Sequence, residues 1–173
     1  MDVDIEQASA ADADAIAALH ADSWRESYRG SLPDDFLAGP VLRNRQELWQ
    51  RRFAGDDGCH TIKATIGDTL IGFGCVIFDG DPEWGADLDN LHVRTSFKGL
   101  GVGARLLHEC RSWIHHRDPA RAMYLWVLEN NHAARRFYDR QGGAAVEQRI
   151  IDVTAGITCP AVRYTWPPLD IRS

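Results

Sequence analysis

The sequence predicts one α/β domain built on a mixed sheet. Helical periodicity in the first third carries that expectation, together with alternating strand-type runs between residues 60 and 93. So does a glycine-rich turn linking an apolar strand to an amphipathic helix. The chain of 173 residues, 45% apolar and 25% charged, is long enough to close one core and too apolar for extended disorder.

Residues 3–6 read as a short first strand. From Ser9, which can cap, Ile16, Leu19, Trp24 and Tyr28 recur at helical spacing until Gly30 and Pro33 end the run. Asp34 or Asp35 starts a helical turn, and residues 41–53 form a second amphipathic helix with Leu42, Leu48, Trp49 and Phe53 apolar. A turn is expected at residues 55–58. Residues 60–66 and 70–78 then form a hairpin around Gly67-Asp68. An acidic connection over 79–85 leads into 86–93, the third strand of the meander. Beyond the glycines, Val102, Leu106, Leu107, Cys110, Trp113 and Ile114 share a helix face, which Asp118-Pro119 closes. Residues 123–128 are an apolar strand buried on both faces. A short helix over 131–141 ends at Gly142-Gly143, and 144–153 and 162–166 are late strands. No repeat or linker divides the chain, so residues 1–173 are read as a single domain.

A formal net charge of −6 argues against nucleic acid and anionic membranes as partners and suits a cationic substrate better. Cys59, Cys75, Cys110 and Cys159 are scattered without C-x-x-C or metal-ligand spacing, which predicts reduced thiols in a cytoplasmic protein and no metal. The N-terminus is acidic where a signal peptide would be basic, and the longest apolar run, 70–78, is interrupted by Gly72 and Gly74. His115, His116 and His132 read as surface residues.

Gly99, Gly101 and Gly103 precede a helix whose first amides are unpaired, a combination suited to a phosphate. Two readings follow. Gly99 to Ala104 matches a dinucleotide fingerprint, with Glu129 as its acid, but Arg94 to Lys98 separate it from the strand that should run directly into it. The other reading rests on a second segment. Lys98-x-x-Gly101-x-Gly103 is followed by Asn131-x-x-Ala134-x-x-Phe137-Tyr138-x-x-x-Gly142, and on a helix Asn131, Ala134 and Tyr138 form one stripe with Phe137 beside it.

In this order and spacing the pair resembles the two conserved motifs of the GNAT superfamily of acetyl-CoA-dependent N-acetyltransferases, over residues 87–143. Lys98 stands where Arg or Gln is usual, Thr95 where Pro is common, and Gly143 where an aromatic usually follows the glycine. Lysine keeps the charge without the planar fork. The resemblance implies a mixed sheet of about six or seven strands flanked by about four helices. It also implies acetyl-CoA as cofactor, a primary amine on a small molecule or peptide as acceptor, and direct attack in a ternary complex.

On that basis Gly99, Gly101, Val102, Gly103 and Ala104 hold the pyrophosphate with Lys98 at the edge. Leu91, His92 and Val93 line the acyl arm through a bulged, splayed strand, and Asn131, Ala134, Phe137 and Tyr138 complete the cofactor side. Tyr138 faces the sulfur. A phenol of pKa about 10 is a weak acid toward a thiolate of about 8.5, so hydrogen bonding describes its role better than transfer. The amine must be neutral to attack, so Asp87 is the candidate base. Alternation places Asp89, Leu91 and Val93 on the same strand face as Asp87, and only a bulge or an opened strand end would turn the acids into a cleft. Asp79, Asp81, Glu83, Asp87 and Asp89, with Trp84, form an acidic rim with an aromatic for an ammonium, and Trp24 and Tyr28 wall the acceptor site. The open alternatives are a CoA-binding sensor or structural domain without turnover, and a nucleotide-binding protein. A homodimer through the late strands or exposed aromatics is common in such folds.

Overall fold

The computed structural model describes residues 2–55 and 58–170. Its organising feature is a seven-stranded sheet in the order β1-β2-β3-β4-β5-β7-β6. The strands are β1 (Asp4–Gln7), β2 (Cys59–Ile66), β3 (Thr69–Asp81), β4 (Gly85–Val93), β5 (Met123–Leu128), β6 (Ala144–Thr154) and β7 (Ile157–Trp166). The helices are α1 (Ala13–Ser27), α2 (Asp34–Ala38), α3 (Val41–Ala54), α4 (Val102–Arg117) and α5 (His132–Arg140). The expected mixed α/β sheet is present, with five helices rather than about four because the short turn at Asp34 is a helix of its own. The centre of the turn expected at residues 55–58 lies outside the described residues.

Each element follows from local chemistry. A 3-10 turn precedes α1, and its Asp12 carboxylate accepts the Ser9 backbone N–H at 2.8 Å. Asn131 caps α5, its side-chain oxygen accepting the Ala134 amide at 3.2 Å. Gly72 and Gly74 in β3 allow α4 to approach: a Cβ at these positions would stand 3.1 Å from Leu106 and 3.0 Å from the Cys110 sulfur. Strand β7 starts five residues earlier than the sequence suggests, at Ile157 rather than 162. Pro160, which cannot donate to a ladder, conceals that half of the strand. It is tolerated because the β5 pairing ends at Leu128 opposite Ala161.

The helices lie on both faces. Helix α4 and the aromatic residues of α5 cover one side, in a core with Leu88, Leu125, Tyr164 and Trp166. Helices α1 and α3 cover the other, where Ile16, Leu19 and Trp49 meet Phe73 and Cys75. On the same side, further along, α1 and α2 pack on Leu128, Ala161 and Cys159. No helix among the described residues is long and apolar enough to cross a membrane.

Two departures from regularity fall in β4. Cys75 pairs with Asn90 and Val76 with Leu88, so Asp89 is an extra residue, a β-bulge. The bulge overturns the simple alternation expected from the sequence. Leu88, Leu91 and Val93 face α4, while Asp87, Asn90 and His92 share the opposite side with Phe73 and Cys75. Strand β4 also runs parallel to β5 for only two pairs, Ala86 with Met123 and Asp87 with Tyr124, before the strands part.

Candidate active site

Parting strands leave the β5-facing edge of β4 from Leu88 to Val93 without a ladder partner among the described residues. Unpaired strand edges must be satisfied by something. Asp87 stands at the last paired position, beside Tyr124. Burial pushes its carboxyl up to about 7, the neighbouring charge of Asp89 adds to the shift, and Arg52, Arg163 and the Tyr124 hydroxyl oppose it. That is the range in which a carboxylate exchanges protons near neutral pH.

The glycine turn follows β4 through a 3-10 turn at Thr95–Phe97. Gly101 is the residue before α4, at φ +83°, with no atom near its absent Cβ, so glycine is needed there for conformation rather than space. The amides of residues 99–104 have no backbone acceptor among the described residues, and the first bond of the helix is Arg105 N–H to the Gly101 carbonyl. Together with the helix dipole they suit an anion. Gly103 has a different purpose: a Cβ there would stand 3.4 Å from the Phe137 ring, so it sets how closely α4 packs on α5.

Lys98 and Asn131 meet across a cleft of about 480 Å³ that Glu26, Ser27, Thr95 and His132 also line. The Thr95 hydroxyl donates to the Glu26 carboxylate. Neither Glu26 nor this bond is foreshadowed by a motif.

Tyr138 is buried among Phe137, Tyr164 and Trp166, with ring centroids 5.3 to 5.8 Å away. Its hydroxyl has no protein hydrogen-bond partner among the described residues and is not among the fully enclosed polar atoms. Burial and the nearby Tyr28 phenol raise its pKa, keeping it protonated. Tyr28 belongs to the α1 side of the sheet and Tyr138 to the α5 side. The two phenols thus belong to opposite faces of the sheet, and the charge of one is felt by the other.

On the α1 side an aromatic layer underlies β4. His20 accepts the Trp49 indole N–H on Nδ1 at 3.0 Å, and its ring lies 4.7 Å from His92 and 5.0 Å from Trp24. Burial pushes His92 down to about 4, with Lys98 contributing. Trp24 lies 5.3 Å from Tyr28, and the Arg45 guanidinium carbon is 4.1 Å from its ring.

The acidic rim expected to meet an organic ammonium is largely committed to the protein. Asp89 accepts from Arg52 at 2.5 Å, Asp79 pairs with Arg121 at 3.6 Å, and Asp81 accepts the amides of Glu83 and Trp84 at 2.8 and 3.0 Å. Glu83 is exposed. The Trp84 ring is covered by Arg163, which also lies over Tyr124 and Trp126 at 4.5 to 5.0 Å and pairs with Glu147 at 3.1 Å. Arg45, Arg52, Arg163 and Tyr124 were not expected as site residues. The one sequence signal was available for Arg45, which repeats the four-residue spacing of Val41 and Trp49.

Comparison with known proteins fits this geometry. The profile of the acetyltransferase (GNAT) family matches residues 16–143. A protein of Mycobacterium tuberculosis named as a probable N-acetyltransferase is 31% identical over 132 residues, covering 73% of this chain and 71% of its own. The PaiA N-acetyltransferase of Thermoplasma acidophilum, solved with coenzyme A, superposes with a TM-score of 0.76 at 18% identity, over 96% of this chain and 100% of that one. The Salmonella typhimurium protein YncA, solved with its cofactor acetyl-CoA, gives a TM-score of 0.70 at 15% identity over 100% and 98%.

Proposed function

Because the chain belongs to the acetyltransferase (GNAT) family, we propose that it moves an acetyl group from acetyl-CoA to a primary amine by direct attack in a ternary complex. The observation that carries this reading is the opening between β4 and β5, flanked by the uncommitted amides of residues 99–104 on one side and the Tyr138 hydroxyl on another. Relatives of the same fold are solved with coenzyme A or acetyl-CoA. We assign the activity to a single domain spanning the chain, acting on a small-molecule or peptide amine in the cytoplasm, in line with the buried thiols of Cys75, Cys110 and Cys159.

When bound, acetyl-CoA supplies an activated thioester acyl group. The amides of 99–104 would hold its pyrophosphate, each charge-assisted bond contributing about 1.5–3 kcal/mol. The free edge of Leu91 to Val93 offers backbone groups to the extended arm, and Lys98, Asn131, Ala134 and Phe137 border it. Asp87 accepts the proton of the ammonium. At pH 7 deprotonating a lysine-like amine costs about 4–5 kcal/mol, and a carboxylate half ionised near that pH is matched to the task. Tyr138 donates a hydrogen bond toward the sulfur. Its raised pKa makes full proton transfer unfavourable, so it stabilises developing charge without giving up its proton.

The test is thiol release from acetyl-CoA over a panel of amines, with Tyr138→Phe beside the wild type. We expect turnover in the wild type, and in Y138F a kcat lower by about 10- to 100-fold with an unchanged KM for acetyl-CoA. Equal kcat in the two proteins would remove Tyr138 from the mechanism. Absence of thiol release with every amine would leave a cofactor-binding domain.

A further inference from the structure

We propose that Arg45 binds a carboxylate on the acceptor, so that the substrate is an amine that also carries an anionic group, of amino-acid or peptide type, rather than a polyamine. The inference deepens the acetyltransferase reading and rests on it.

The argument begins with the position of the charge. Val41, Arg45 and Trp49 are the buried residues of α3, one stripe at four-residue spacing. An aliphatic residue in the middle of that stripe would pack without desolvating a charge, and buried ions are commonly matched or bettered by apolar side chains. Arg45 is nevertheless only 6% exposed.

No carboxylate answers it. Among the described residues Arg45 forms no ion pair. Its Nε and Nη2 donate to the Asn44 side-chain oxygen, and Nη2 donates to the Thr154 hydroxyl at 3.1 Å. Both acceptors are neutral. The nearby acid, Asp89, is held by Arg52 at 2.5 Å. Burial and the charge of Arg52 push the Arg45 guanidinium down to about 10, which is the mark of a cation lacking a counter-ion.

The remaining donor is open. Of the guanidinium nitrogens, Nη1 has no hydrogen-bond partner among the described residues, yet it is not among the enclosed unpartnered atoms. Stacking on Trp24 and the bonds to Asn44 and Thr154 fix the plane of the group, so Nη1 is presented without further loss of side-chain freedom. The ring under Arg45 is Trp24, and Tyr28 lies next to it at 5.3 Å. A carboxylate at Nη1 is thus beside the aromatic wall of α1, on the face of the sheet that α1 and α3 cover and that Asp87 shares. The alternative cationic acceptor finds its aromatic face and most of its acids already occupied by Arg163, Arg52 and Arg121.

The experiment uses acceptor pairs that differ only in the carboxylate: phenylalanine against phenethylamine, lysine against cadaverine, and a dipeptide against its C-terminal amide, with thiol release as readout. The wild type should favour the carboxylated member by about 10- to 100-fold in kcat/KM. Arg45→Met, which fills the stripe, should erase that preference through KM for the acceptor while leaving KM for acetyl-CoA unchanged, and Arg45→Lys should restore part of it. Turnover with no preference between members in the wild type overturns the assignment and leaves the acetyltransferase reading standing. So does an equal loss for both members in R45M with its melting temperature retained. No thiol release from any pair overturns both.

Discussion

The two sides of the opened sheet are built from different materials. On the side proposed for the cofactor, the glycine turn, the start of α4 and the bare edge of β4 offer main-chain groups, and residue type there mostly fixes packing, as the missing Cβ of Gly103 does against Phe137. On the side proposed for the acceptor, Asp87, Arg45, Arg52, Arg163 and a layer of aromatic rings offer side chains brought together from α1, α3, β4 and β7. A main-chain site constrains which residues permit a conformation. A side-chain site constrains which residues are present, and these can be exchanged without disturbing the fold. The first half suits a donor shared by a whole family, and the second suits an acceptor that differs between members.

That contrast is tested most severely at Asp87. Asp87→Asn should lower kcat by about 10²- to 10⁴-fold while KM for acetyl-CoA stays within twofold. In the wild type kcat/KM for the acceptor should fall as pH drops through about 7, and the variant should lose that inflection. Stability should move the other way. The folded carboxyl titrates near 7 and the unfolded one near about 3.9, so the folded state holds the extra proton between those values. Its contribution is therefore lost as pH rises through that window, by up to about 4 kcal/mol. Asn carries no such penalty, so D87N should melt higher than wild type at pH 8 and not at pH 4. A variant with less activity and no gain at pH 8 would mean that Asp87 is not buried as an acid.

The same contrast decides what the sequence could reveal. The glycine turn and the cap of α5 were legible because backbone geometry leaves a mark in residue type: a positive φ before a helix selects glycine at 101, and a cap selects Asn131. The strands, the hairpin and the long helix were legible from their periods. Asp87 could be named but not aimed, because the bulge at Asp89 leaves no mark in composition and reverses the facing of everything after it. Arg45 and Arg163 were hidden for a simpler reason. A charged residue is read as solvated by default, so the four-residue spacing through Val41, Arg45 and Trp49 counts as a broken stripe rather than a buried cation. The first half of β7 was concealed by a proline that is harmless only because β5 has already ended beside it.

Gly101 should give a smaller effect, confined to the other side. A side chain at φ +83° meets no atom but strains the backbone by about 1–2 kcal/mol. Gly101→Ala should therefore raise KM for acetyl-CoA by about 5- to 30-fold and leave KM for the acceptor unchanged. A change in acceptor KM of the same size would show that the two sides are coupled through the strand, and would remove the division between them.

The smallest effect is expected from Lys98, and its smallness is the point. Lys98 is exposed on the cleft that also holds Glu26, a charge of opposite sign engaged by Thr95. An exposed cation attracts a phosphate mainly through screened long-range charge, with a Debye length near 10 Å at 0.1 M salt. Lys98→Ala should raise KM for acetyl-CoA by about two- to fivefold at low ionic strength, and the difference should disappear above about 0.5 M salt. Glu26→Gln should shift it the opposite way under the same conditions. If instead K98A lost binding as severely as G101A and kept that loss in high salt, the pyrophosphate would be held by a side chain rather than by the amides of 99–104. The cofactor side would then be built like the acceptor side.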